Sequence, residues 1–389
     1  MQDGRGRGLR VLLAIHHPLD PDMGAPGVTL ALGNALASRG CAVDYFSYTE
    51  AFPGTTVHTA WHGVRFPWEL ARHLARVAGR YDVLDVTTGD CWPWARAGRP
   101  GASRDQVLVT RSHGLEHTYS ERLRADSSKG LHHLSWKYPL YHGGFRLWEV
   151  RQSLLLSDHT VLLNTQDATY ARERLGLPDA RLSVIPHALP AVFHGLPPAR
   201  PAPEGAPLRL AFVGSWLPAK GTAVLVAVAK ALFTQGLPFT LTMLGTGVAE
   251  REVLESFPST MRERLRVIPR YPNAELPRLL EGEEVLLFPS HSEGYGMALV
   301  EAMACGLVPV TTPVGVAQEV VLHEESGLRV PIGDVSAMVA AVNTLASDGG
   351  RRLALRRAAQ NAVSGLFWPD IAERMIGLYK SLLNGRGTS

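Results

Sequence analysis

Two carboxylates eight residues apart, Glu293 and Glu301, bracket a glycine-bearing loop, Glu293-Gly294-Tyr295-Gly296, which opens onto a helical pattern starting at Met297-Ala298. The free N–H groups at a helix start and the positive end of its dipole favour anions, phosphate above all. Two glycines let the backbone approach a ligand without a Cβ clash. A carboxylate accepts both hydrogen bonds of a vicinal diol, so each glutamate suits a sugar ring. With an anion site between them, the pair suits the two ends of a nucleotide-sugar. Taken singly, each glutamate also fits a capping loop or a solvated mid-helix position.

The flanking pattern positions that loop. The run 285–288 reads as a buried strand ending at Pro289, and apolar Met297, Val300, Met303 and Ala304 recur at helical spacing until Gly306. A second strand, 307–310, follows at once. Upstream, 208–214 reads as a strand, Ser215 to Gly221 as a loop holding Lys220, and 222–233 as a helix. The same order opens the chain: strand 9–15, a loop 16–27 with Gly24 and Gly27, a helix from about 28 to 38, and strand 42–47. Two strand–loop–helix starts about two hundred residues apart imply two Rossmann-like doubly wound α/β domains. Five prolines in the twelve residues 196–207 mark the linker between a domain at 1–195 and one at 208–367. The segment 368–389 reads as an amphipathic helix. A nicotinamide site would need G-x-G-x-x-G straight after the first strand, and that is absent. The strand 107–111 ends in Ser112-His113-Gly114-Leu115-Glu116; a His just past a strand end faces the ligand side of such a sheet, although an isolated His is more often structural.

The string from Pro289 to Glu319 resembles the donor site of GT-B glycosyltransferases, in particular the retaining family 4 with its "glycosyl transferases group 1" domain. Pro289-Ser290, Glu293 to Gly296, Glu301 to Ala304, Gly306, Pro309-Val310, Gly315 and Glu319 stand where that pattern has them. Phe212 to Gly221 resembles its F-x-G-R-L-x-x-x-K-G stretch, with Lys220 at the lysine that reaches the donor diphosphate and Ser215 at the usual arginine. A neutral hydroxyl does not replace a charged bidentate fork, so the resemblance leaves Arg270 as a second candidate cation. It implies that the base stacks near Tyr271, that Glu293 holds sugar hydroxyls, that Glu301 holds the ribose diol, and that the helix start Gly296-Met297-Ala298 takes the diphosphate. It also implies that His113 contacts the transferred sugar and that Gly24 and Gly27 lie near the reacting centre. The family's V-I-P-N-G-V turn is altered here, with His187-Ala188 after Pro186.

The implied fold is GT-B, two Rossmann-like domains facing a central cleft. The implied reaction is retaining transfer of a sugar from a nucleotide-diphosphate sugar, a co-substrate rather than a cofactor, to an acceptor hydroxyl, with no metal. A GT-B epimerase or phosphorylase, or a non-catalytic nucleotide-sugar-binding protein, shares the architecture.

Composition narrows the class. The chain has 389 residues, 46% hydrophobic and 19% charged, and no apolar run of about 20 residues that would span a bilayer. Its N-terminus lacks a signal-peptide pattern, and three scattered cysteines (Cys41, Cys91, Cys305) suggest reduced thiols, so a cytoplasmic location is expected. Net charge is +3, too small for a nucleic-acid partner. Thirteen of fifteen histidines precede residue 196, which suggests that acceptor recognition belongs to the first domain. The acceptor is left open among sugars, glycans, small molecules and lipid-linked species. Residues 129–148 are rich in His, Trp and Tyr, including His132, His133, Trp136, Tyr138, Tyr141 and His142, without recognised metal spacing. A helix at 67–80 would align Arg72, Arg76 and Arg80. Three cations give only marginal attachment to an anionic membrane surface, and a soluble acceptor is the expectation.

Overall fold

The computed structural model describes residues 8–128, 130, 133–203 and 205–386. Lys129 and His132 of the aromatic segment lie outside the described residues. The chain divides into two compact units, whose described residues fall in Met1–Arg124, His133–Ala188 and Trp368–Ser389 for the first, and in Ala125–His132 and Leu189–Phe367 for the second.

Each unit is built on a six-stranded parallel sheet. In the first, β1 (Arg10–Ala14), β2 (Ala42–Phe46), β3 (Val83–Thr87), β4 (Val107–Arg111), β5 (His159–Leu162) and β6 (Leu182–Val184) lie in the order β2-β1-β3-β4-β5-β6. The second has β7 (Leu208–Val213), β8 (Phe239–Leu244), β9 (Leu265–Ile268), β10 (Val285–Phe288), β11 (Val308–Thr311) and β12 (Leu328–Arg329), in the order β12-β11-β10-β7-β8-β9. Every residue of β3, β4, β10 and β11 is buried. Strands buried along their whole length need helices on both sheet faces. In the first unit one face packs Leu36 against Ile371, Met375 and Tyr379 of the C-terminal helix Trp368–Arg386, and the other packs Phe66, Leu70 and Leu74. Both orders reverse direction once, between β1 and β3 and between β7 and β10. Loops at the carboxyl ends of such strand pairs are where doubly wound sheets bind ligands.

Some boundaries differ from those read in the sequence. The first helix is Gly24–Ser38, so Gly24 and Gly27 form its first turn rather than a loop before it. The helix expected at 67–80 is Ala60–Val77 with Pro67 inside it, opened by Thr59, whose backbone N–H donates to His62 Nδ1 at 2.9 Å. Arg80 sits in the separate 3-10 turn Ala78–Arg80, which breaks the i, i+4 phase with Arg76. Arg72 is paired with Glu69. The three arginines therefore do not form one stripe. Asp85, in the middle of β3, is fully buried between Arg111 Nε at 3.0 Å and the Tyr379 hydroxyl at 2.6 Å, and holds the sheet to the C-terminal helix.

Candidate active site

In the second unit the loops after β7 and β10 touch at the reversal point. Gly221 closes the first loop at φ +70°, and a Cβ there would run into the Pro289 carbonyl of the second. A hydrogen bond from His291 N to Ala219 O, 2.8 Å, ties the same two loops. The result is a close ion pair. Lys220 Nζ donates to both oxygens of Glu293, at 2.8 and 2.7 Å, and Ser290 Oγ donates to Glu293 Oε1 at 2.7 Å. Two of the three ammonium N–H bonds are used, which leaves the third. The Lys220 side chain is 29% exposed and that of Glu293 6%.

The helix Met297–Ala304 starts directly after this pair, at Gly296 with φ +101°, and no side chain caps it. Within the helix, Glu301 is buried and accepts from Asn273 Nδ2 at 3.1 Å. Burial pushes its carboxyl up to about 7, against which the Asn273 hydrogen bond acts weakly. Tyr271 is partly buried beside Gly245, and burial and then the Glu301 charge raise its phenol above the ordinary range. Gly294, Tyr295, Met297 and Ala298 thus stand in one loop and helix start, with Lys220 against them through Glu293. Ser215 is partly exposed in the loop after β7, and Arg270 is exposed just past β9. The sequence pattern by itself marks neither Ser290 nor Asn273 as a ligand-side residue. Ser290 lies inside the matching string, whereas nothing local marks Asn273.

In the first unit, His113 stands beyond β4 with Nε2 3.4 Å from Thr29 Oγ1 and 3.5 Å from Arg111. Thr29 belongs to the helix whose first turn carries Gly24 and Gly27, so these three expected residues share one neighbourhood. A Cβ on Gly27 would come within 2.5 Å of Pro21 O. Burial, then the Arg111 charge, holds the His113 imidazole well below its usual range, and it is neutral at pH 7. At the reversal point of this sheet lies a network that no single stretch announced. His16 Nδ1 lies 2.7 Å from Asp90 Oδ2, and Arg146 donates to Asp90 Oδ1 at 3.2 and 3.3 Å. Arg146 also pairs with Glu116 at 3.6 Å and Glu149 at 3.5 Å. His16, Asp90 and Glu116 all follow strand ends, and that shared placement was the available signal.

Among the described residues, no group of His, Cys, Asp and Glu could hold a metal ion, and no helix is long and apolar enough to cross a membrane.

The family model for glycosyl transferases group 1 matches residues 199–362, and that for Glycosyltransferase Family 4 matches 24–191. The two together span most of the chain. It belongs to the glycosyltransferases. Along its length this glycosyltransferase is 27% identical over 430 aligned residues to D-inositol 3-phosphate glycosyltransferase of Acidothermus cellulolyticus, covering 97% of this chain and 91% of that one. Its fold is GT-B. It superimposes on sucrose-phosphate synthase from Thermosynechococcus elongatus with a TM-score of 0.76, at 20% identity, covering 97% of this chain and all of that one (100%). It also matches Anabaena Alr3699/HepE, a structure in complex with UDP-glucose, with a TM-score of 0.63 at 15% identity, over 96% of this chain and 99% of that one.

Buried Glu301 has a stability consequence with a definite sign. Its folded value of about 7 lies above the ordinary 4.5, so the folded state holds a proton that the unfolded chain releases between those values. Stability therefore falls as pH rises through that window. Glu301→Gln keeps an oxygen for Asn273 and removes the penalty. The glycosyltransferase should gain about 3 kcal/mol of unfolding free energy above pH 7, and nothing below about pH 4.5. Urea melts at pH 5 and pH 8 check this: a gain equal at both pH values would contradict it.

Proposed function

We propose that this glycosyltransferase takes its sugar from a nucleoside-diphosphate sugar bound in the second unit and transfers it with retention of anomeric configuration. The observation that carries the reading is the Lys220–Glu293 pair set against the uncapped start of the helix Met297–Ala304. The leaving diphosphate would take the third N–H of Lys220 and the backbone N–H groups of Met297 and Ala298. Fixed positive charge at a leaving group is a large source of rate, and here it takes the place of a divalent cation. Glu293, fixed by Lys220 and Ser290, would accept from hydroxyls of the sugar. Glu301, with Asn273 beside it, would accept from the ribose diol, and Tyr271 would carry the base. His113, neutral, would hydrogen-bond the transferred sugar near its reacting carbon. Gly24 and Gly27 would let the backbone close on it. The acceptor oxygen forms its bond on the face that the diphosphate leaves, and its proton departs with the diphosphate. The UDP-glucose complex of the structurally similar Anabaena protein supports a donor of this class.

A thermal-shift panel of nucleotide-sugars, run with EDTA present, tests the donor class. The true donor at a hundred times its dissociation constant should stabilise the protein by about 2.7 kcal/mol. A panel in which no nucleotide or nucleotide-sugar shifts the melt would refute the reading.

Ser215 offers a second handle. It sits in the same loop as Lys220, where the family pattern carries an arginine, and it is partly exposed. Ser215→Arg should therefore fold normally and tighten nucleoside-diphosphate binding by about 1.5–3 kcal/mol, the range for a hydrogen bond to a charged group. Titration calorimetry showing weaker binding would mean that the loop has been rebuilt around the serine.

A further inference from the structure

A cavity of about 350 Å³ opens beside the reversal point of the first unit's sheet, lined among others by His16, Tyr48, Glu116, Tyr138, Tyr141 and Arg146. Its volume lies at the small end of ligand sites, which run from roughly 300 to 1,000 Å³. The cavity looks cationic at first, because Arg146 lines it. That charge is already spent. The guanidinium donates to Thr88 O at 2.9 Å and Gly89 O at 3.2 Å, besides its contacts with Asp90, Glu116 and Glu149. Its side chain is only 11% exposed. The three carboxylates around it raise its affinity for its own proton further, against the effect of burial.

The groups left to meet a ligand are of a different kind. Glu116, 27% exposed, lines the cavity with both oxygens 3.0 Å from the single hydroxyl of Thr88 and Oε1 3.6 Å from Arg146, which leaves lone-pair capacity for a further donor. His16, 26% exposed, is fixed through Nδ1 on fully buried Asp90, so its other ring nitrogen has one set direction. Burial pushes the phenols of Tyr48 and Tyr141 up to about 12, so both keep their protons and can donate. The half-buried ring of Tyr141 offers apolar surface suited to the C–H face of a saturated ring, whereas the Tyr48 ring is packed in the core against Phe52 and Phe66. Of the other titratable side chains on the wall, Tyr138 donates to Ser120 Oγ at 2.9 Å, and Tyr119 and His142 are exposed. Glu116, His16 and Tyr141 make a wall that hydrogen-bonds hydroxyls, and Arg146 offers an anion no uncommitted guanidinium.

We infer that this cavity is the acceptor site and that it takes an uncharged polyhydroxylated ring, a sugar or cyclitol without phosphate. This rests on the glycosyltransfer reading above, and it sets the chain apart from its relatives whose names carry a phosphorylated substrate or product.

Saturation-transfer NMR on the full chain, with matched probes, tests it: myo-inositol against inositol 3-phosphate, and glucose and maltose against glucose 6-phosphate. At least one neutral probe should bind at least tenfold more tightly than its phosphorylated partner. Glu116→Gln should weaken that probe and reduce the ratio at least fivefold, because the variant loses the charge that repels phosphate. A phosphorylated probe binding as tightly as its neutral partner, no neutral probe binding, or an unchanged ratio in Glu116→Gln each overturns the inference. Calorimetry with a nucleoside diphosphate on the same sample separates the two readings. Lost nucleotide binding counts against the glycosyltransfer mechanism, whereas intact nucleotide binding with a preference for phosphorylated probes counts against this acceptor class alone.

Discussion

Lys220→Ala is expected to lower kcat by about 10²–10³-fold, the cost of removing one preorganised charge from a leaving group. The lysine is held 2.7–2.8 Å from both oxygens of Glu293, so it needs no search to meet the diphosphate. The same substitution strands a carboxylate whose side chain is only 6% exposed, which adds a stability loss. Lys220→Ala with Glu293→Gln separates the two effects, because the double variant should recover stability without recovering turnover. Steady-state rates on a donor found by thermal shift, with melts of both proteins, check this. Turnover restored in the double variant would move the leaving-group charge elsewhere.

Arg146→Leu should have the largest effect on stability, about 3–5 kcal/mol, the usual cost of breaking a buried ionic cluster by deleting one partner. It leaves Asp90, Glu116 and Glu149 facing one another without a cation. Burial already pushes the Glu149 carboxyl up to about 7 from its ordinary 4.5 despite Arg146, and raises Glu116 as well. Without the guanidinium both must rise further. The folded variant then binds more protons than its unfolded chain, so its stability falls as pH rises through and beyond that window. The deficit against wild type should be full at pH 8 and clearly smaller at pH 5. Chemical melts at the two pH values give the answer, and a pH-independent deficit would mean that packing rather than charge is at work.

How much of this was legible in the sequence depended on chain distance. Glu293, Gly296 and Glu301 are neighbours along one strand–loop–helix, so their spacing alone is enough to propose an anion site and two diol acceptors. Lys220 was readable because its loop repeats the same order after β7, although its pairing with Glu293 needs the parallel β7–β10 contact. The network of His16, Asp90, Glu116, Arg146 and Glu149 is gathered from five places, each of which reads as an ordinary surface or core residue. Asn273 is similar. It reaches Glu301 only because the segment past β9 folds over the helix, and no local pattern encodes that contact. The helix Ala60–Val77 was read too short because Pro67 looks like a helix start, while Thr59 with His62 is an uncommon N-terminal cap. That shift also removed Arg80 from the expected basic stripe.

The central claim is that Glu293 and Glu301 hold different parts of one nucleotide-sugar, and titration calorimetry of two variants tests it most directly. A nucleoside diphosphate and its sugar-bearing form are each titrated into wild type, Glu301→Ala and Glu293→Ala. Loss of the ribose contact should weaken both ligands in Glu301→Ala. Glu293→Ala should spare the bare diphosphate, since Lys220 is then freed to meet it, and should lose the extra affinity of the sugar. Variants that bind both ligands like wild type would contradict the account.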